Sequence, residues 1–190
     1  KERFGHVDGV LHCAGELRDG FVRTRSAADV AAVLAPKVEG TRHLDEALAG
    51  EPLDCFVLFS SMSALLGNAG QSDYCFANAY QDGFAATREQ LRLAGLRAGR
   101  TLSVGWPYWA EGGMKISAEA ARLMREQLGV AGLGSEDGCR ALEDALRLDG
   151  PHLVAVAGDA AVIRRAFGVP VESTPEQQSA RPPEGVDRGG

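Results

Sequence analysis

Short apolar runs closed by glycine or serine alternate along the chain with longer stretches of helical periodicity, which predicts repeated strand–helix units. Val7 to Gly15 reads as a buried strand stopped by glycine, Leu53 to Ser61 as a second strand, Leu102 to Trp106 as a third and Leu153 to Ala157 as a fourth. Between them, Ser26 to Leu48 is predicted helical, with Ser26 as its N-cap. Ser72 or Asp73 caps a helix that runs to Ala94, and Gly95 fits its stop. Shorter helices are predicted over Ala118 to Leu128, from Ser135 to near Leu148, and from Asp159 to Phe167. The expected fold is α/β, a partial Rossmann-like, doubly wound parallel sheet, whose reactive residues gather beyond the carboxyl ends of the strands. Gly15, Ser61 and Trp106 all stand at such ends. After Pro170 the apolar residues almost vanish, so the predicted organisation is a domain over 1–168 and a disordered linker over 169–190.

A chain of 190 residues, 45% hydrophobic, can bury one domain-sized core. The net charge of −6 and the absence of any long basic block argue against a nucleic-acid surface. No apolar run approaches membrane-spanning length, and the N-terminus lacks a signal-peptide core, so a cytoplasmic protein with no membrane partner is expected. The four cysteines, Cys13, Cys55, Cys75 and Cys139, are scattered without ligand spacing. No metal site is predicted, and the thiols are expected to be free and buried, as in a reducing compartment.

Candidate chemistry concentrates where the second strand meets the helix after it. The run from Cys55 to Phe59 ends in Ser60 and Ser61; Tyr74 follows Ser61 by thirteen residues and Asn78 follows Tyr74 by four, on the same helix face. Lys37 lies 24 residues before Ser61 in an earlier helical pattern. Reducing a ketone requires a proton at the oxygen as charge develops there. A phenol is a weak acid whose pKa a neighbouring ammonium lowers, a serine hydroxyl offers a second hydrogen bond, and an asparagine can hold a water that returns the proton. Each residue alone reads more readily as packing or solvated surface; their combined spacing is what carries the reading.

With those residues in view, the chain resembles the ketoreductase domain of modular polyketide synthases, a branch of the short-chain dehydrogenase/reductases, over about Val7 to Gly168. In most such dehydrogenases the lysine follows the tyrosine by four residues. Here that position is Asn78 and the lysine is Lys37, which matches the exchanged arrangement of synthase ketoreductases. The resemblance implies that Tyr74 is the proton donor, Ser61 its oxyanion partner, Lys37 the cation and Asn78 the relay. It also implies that Ala14, Gly15, Lys37 and Tyr74 face an NADPH cofactor, within Leu11-His-Cys-Ala-Gly15. Asp19, in Leu17-Arg-Asp19, resembles the aspartate that marks formation of the D-hydroxyl. The tryptophan that marks the opposite class, eight residues before the tyrosine, is replaced by Leu66. Arg18 departs from the family's Leu-Asp-Asp triplet. Trp106 and Met114, bracketing Pro107-Tyr-Trp-Ala-Glu-Gly-Gly113, are expected to wall the substrate cleft and its lid.

The implied activity is NADPH-dependent reduction of a β-ketoacyl thioester, carried by an acyl carrier protein, to a D-β-hydroxyacyl thioester, alongside other synthase domains. The chain has no glycine-rich turn after an opening strand, and compared with the family it begins near the fourth strand. The first three βα units and the companion structural subdomain are expected to lie in a longer synthase, leaving one sheet edge bare and little turnover in the isolated chain. The rival readings are a catalytically inactive structural or docking fragment, and a sugar epimerase of the extended type. The epimerase would need lysine at position 78.

Overall fold

A computed structural model describes residues 3–170; the tail from 171, most of the stretch expected to be linker, lies outside them. The four strands, β1 (Gly9–His12), β2 (Cys55–Ser61), β3 (Arg100–Trp106) and β4 (His152–Val154), form one sheet in the order β1-β2-β3-β4, parallel throughout. The helices are α1 (Ala27–Lys37), α2 (Glu39–Ala47), α3 (Ser63–Leu66), α4 (Ser72–Leu93), α5 (Ala118–Leu128), α6 (Ser135–Ala145) and α7 (Ala160–Ala166).

Strand β2 shows why the sheet is central. Phe56 and Leu58 point to one face, packing on Ala85, Phe84, Leu44 and Leu48 of α4 and the α2 segment. Val57 points to the other, where Leu102, Val104, Trp106 and Ala145 gather. A strand covered on both faces reads as a continuous apolar run, and Cys55-Phe-Val-Leu-Phe59 is one. Register pairs Ser61 with Trp106, so the hydroxyl-bearing end of β2 is level with the exit from β3.

Several expectations are corrected. The first strand is shorter than predicted and far from buried: Leu11 is 54% exposed, because β1 is the edge of the sheet. The single helix expected over 26–48 divides at Val38, just after Pro36, whose ring crowds the preceding turn and which has no N–H to give. Ser26 does cap α1, in a reciprocal capping box with Asp29. Helix α4 begins after Gln71, without a side-chain cap, and Gly95 at φ +74° follows its end. Gly134, not Ser135, is the N-cap of α6, because the Ser135 hydroxyl and N–H both bind Glu111. The 3₁₀ turn Val22–Thr24 and helix α3 are too short for periodicity to announce. All four thiols are free, but Cys13 and Cys139 are exposed and Cys55 and Cys75 only half-buried.

Arg88 locks α4 to its surroundings. It is 1% exposed and donates to Asp45 at 2.7 Å, to Thr101 Oγ1 at 2.8 Å and to the carbonyls of Gly99 and Ala98, with its guanidinium over the Phe56 ring. Arg97 shares the Asp45 carboxylate. Removing Arg88 leaves Asp45 to Arg97 alone and takes the donor from the Thr101 hydroxyl and two carbonyls, so Arg88→Ala should destabilise the chain by about 3 kcal/mol in denaturant unfolding. The more exposed Arg97→Ala should cost clearly less.

Candidate active site

Four elements converge at the carboxyl end of the sheet. Strand β1 leads into Cys13, Ala14 and Gly15, which are exposed along the loop that carries Asp19. Strand β2 ends at Ser61, α4 opens with Tyr74, and the break between α1 and α2 sets Lys37 beneath them.

Lys37 is only 3% exposed. Its Nζ donates to the Phe59 carbonyl at 2.6 Å and to Gln81 Oε1 at 3.1 Å. Burial disfavours the ammonium and brings its pKa down to about 8, against the pull of Cys13 and Asp82 toward the charged form. Next to it, His12 donates from Nε2 to the Pro36 carbonyl at 2.9 Å, a contact that braces the end of α1. Burial, opposed by that bond, keeps the His12 pKa below its ordinary value, and the Lys37 charge adds to the effect.

Ser61 Oγ accepts from the N–H of Ser63 at 3.2 Å and lies 3.0 Å from its hydroxyl, so the first turn of α3 fixes it. Asn78 is fully buried; its Nδ2 donates to the Tyr74 carbonyl at 2.7 Å, while Oδ1 has no protein partner. Burial raises the Tyr74 pKa above the ordinary phenol value, the nearby Asn78 and Ser61 side chains pull it back, and Cys75 and Asp19 push it up. Lys37 is not among the causes of this shift; its ammonium donates to Phe59 and Gln81. The net shift favours the protonated phenol.

The mouth of the cleft holds Asp19 and Met114. Asp19 Oδ1 accepts from Gln71 Nε2 at 3.0 Å, Gln71 is held by Asn68, and the Gly20 N–H donates to the Gly70 carbonyl at 2.8 Å. Met114, 42% exposed, brings its Sδ to 3.7 Å from the Tyr74 hydroxyl. Trp106 is displaced from the role expected of it. At 4% exposure it packs between Phe59 and Trp109 in the core, because its side chain follows the inward alternation of β3. The sequence reading missed Gln81 and Gln71, although Gln81 falls at the helical repeat of Tyr74 and Asn78.

Two features suit a bound nucleotide and ketone. A Cβ at Gly15 would lie 3.1 Å from Lys37 Cε and 3.7 Å from Met114 Cε, so glycine keeps a narrow space open between them. Asn78 Oδ1 is a buried acceptor awaiting a donor. Among the described residues no His, Cys, Asp or Glu cluster could hold a metal, and no helix is long and apolar enough to cross a membrane.

The chain is similar to known ketoreductases. The KR domain family model matches residues 1–111. The polyketide synthase PksN of Bacillus subtilis (strain 168) is 40% identical over 165 residues, which is 87% of this chain and 3% of that synthase. The pikromycin synthase component PikAII of Streptomyces venezuelae is 42% identical over 83% of this chain and 4% of its own length. The crystal structure of a ketoreductase domain from the bacillaene assembly line superposes with a TM-score of 0.82 at 37% identity, covering 86% of this chain and 39% of that one. The chain thus spans a few per cent of the curated synthases it matches and about two-fifths of that solved domain.

In ultraviolet titration of the three tyrosines, Tyr74 should ionise late, as the component that Tyr74→Phe removes. Asp19→Asn should move that ionisation to lower pH, and Ser61→Ala to higher pH. An ordinary phenol transition at Tyr74 would contradict the burial argument.

Proposed function

The chain belongs to the KR domain family, the ketoreductases of polyketide synthases within the short-chain dehydrogenase/reductase superfamily, and we propose that it forms the substrate-side half of such a reductase in a larger synthase. The substrate in this reading is a β-ketoacyl thioester on an acyl carrier protein, reduced with NADPH to a D-β-hydroxyacyl thioester. The observation that carries it is that Ser61 and the buried Asn78 both act on the Tyr74 phenol, with Lys37 buried at the end of β2. When bound, a reduced nicotinamide supplies the hydride.

The remaining work falls to the residues of this chain. Ser61, fixed by Ser63, donates to the ketone oxygen and orients it. Tyr74 gives its proton to that oxygen as it becomes an alkoxide, a far stronger base than a phenolate, so a raised phenol pKa does not prevent the transfer. The phenolate left behind regains a proton through solvent held at Asn78 Oδ1. The Lys37 ammonium, bonded behind the end of β2, places its positive charge beside Gly15 on the cofactor side of the opening. Ala14 and Gly15 line the cofactor side with Lys37 and Tyr74, and Met114 shields the phenol from bulk water.

The preference for NADPH and for a carrier-bound thioester rests on the family resemblance. The D configuration rests on Asp19, held toward the cleft by Gln71, and on Leu66 where the other class has tryptophan. Trp106, buried at the end of β3, serves this reading as support for Trp109 and the lid segment.

In the parent synthase, Tyr74→Phe should lower NADPH-dependent reduction of a β-ketoacyl thioester by about 10²–10⁴-fold, the range of a lost general acid. Cofactor affinity should stay within a few-fold. Retained rates would remove Tyr74 from the role, and failure of the unmutated synthase to oxidise NADPH would favour a docking fragment. Chiral chromatography of the product should show the D-alcohol; an L-alcohol would overturn the assignment of Asp19.

A further inference from the structure

Helix α4 carries a third polar residue on the face that presents Tyr74 and Asn78. Gln81 follows Tyr74 by seven positions and Asn78 by three, so the helical repeat stacks all three. It is fully buried, as is Thr41. Its Oε1 accepts from Lys37 Nζ at 3.1 Å, and its Nε2 donates to Thr41 Oγ1 at 3.2 Å. Chemistry decides which end of the amide faces which partner. An ammonium has only protons to offer, so the oxygen must face Lys37, and the NH₂ then needs an acceptor, which the Thr41 hydroxyl supplies. A leucine would fill the same interior volume without desolvating an amide, so a glutamine here calls for a reason.

We propose that Gln81, oriented by Thr41, is a positioning residue for Lys37: the amide oxygen takes one ammonium proton, the Phe59 carbonyl takes a second, and the third is left for an acceptor in the opening beside Gly15. The Gly15 geometry supports this, since a Cβ there would come within 3.7 Å of Nζ. The inference rests on Lys37 being the cation of the reductase and says how that charge is kept. A carboxylate at position 81 would bind the proton more firmly but cancel the charge. A hydrocarbon would leave the buried amine to shed its proton. A neutral acceptor does neither. The other ionisable groups facing Lys37 are Cys13 and His12 from β1 and its exit, and Asp82 from α4.

The chain contains only three lysines, Lys1, Lys37 and Lys115, so NMR of ¹³Cε-labelled lysine in the chain resolves Lys37, assigned by its loss in Lys37→Arg. The unmutated Lys37 should titrate at about 8. In Gln81→Leu the midpoint should fall by about one pH unit, a tenfold loss of proton affinity. In Thr41→Val it should fall by less, because the amide remains but loses its anchor, and in Gln81→Glu it should rise above the unmutated value. A folded Gln81→Leu variant with an unchanged midpoint overturns the proposal. If that variant does not fold, Thr41→Val and Gln81→Glu decide, and two unchanged midpoints overturn it equally. The titration needs neither cofactor nor turnover. A parent synthase inactive toward ketones, with a Gln81-dependent midpoint, would sink the reductase reading alone; an active one with a Gln81-independent midpoint would sink only this proposal.

Discussion

A lysine ammonium held almost out of reach of water governs this part of the molecule. Burying a charge is costly unless it is hydrogen-bonded, and Lys37 meets that condition with two uncharged acceptors, the Phe59 carbonyl and the Gln81 amide. The charge is therefore retained without being neutralised, at the cost of a pKa brought down to about 8. Neither acceptor exists until β2 and α4 are both in place. The cation is in this sense a product of tertiary structure.

The same dependence extends to the other reactive groups. Tyr74 and Asn78 ride on one face of α4, Ser61 closes β2, and Asp19 is pinned from the turn before α4 through Gln71. Arg88, further along α4, ties that helix to Asp45 at the end of α2 and to Thr101 at the start of β3. Its ion pair lies far from the cleft in sequence, yet it fixes the helix from which the phenol projects. Stability and site geometry here share the same contacts.

What the sequence revealed, and what it hid, follows from the kind of information each pattern holds. The spacing of Tyr74 and Asn78 identifies a shared face because the helical repeat is a local property. Ser61 at the end of an apolar run identifies a strand terminus for the same reason. Local repeats do not say what stands across from a face. The burial of Trp106, the exposure of Leu11 on an edge strand and the half-exposed thiols all depend on neighbours supplied by distant segments. Gln81 was hidden for a further reason: a glutamine on a helix reads as surface unless its buried partners are known. The division of α1 from α2 after Pro36 went unread in the single-helix expectation, and its consequence, a carbonyl braced by His12 beside Lys37, required the fold.

Taking the cation from a separate helix has a structural consequence. On α4, residues 74, 78 and 81 form one polar ridge; on the adjoining segment, Lys37 and Thr41, four apart, form another. The two ridges meet through Lys37–Gln81 and Thr41–Gln81, so the amide touches both residues of the second ridge. A lysine on α4 itself would be placed by helix geometry alone and would need no such joint. Brought in from α1, it can be no better placed than the packing of α1 against α4. A fully buried, doubly bonded glutamine at their crossing converts that packing into a defined position for one ammonium group.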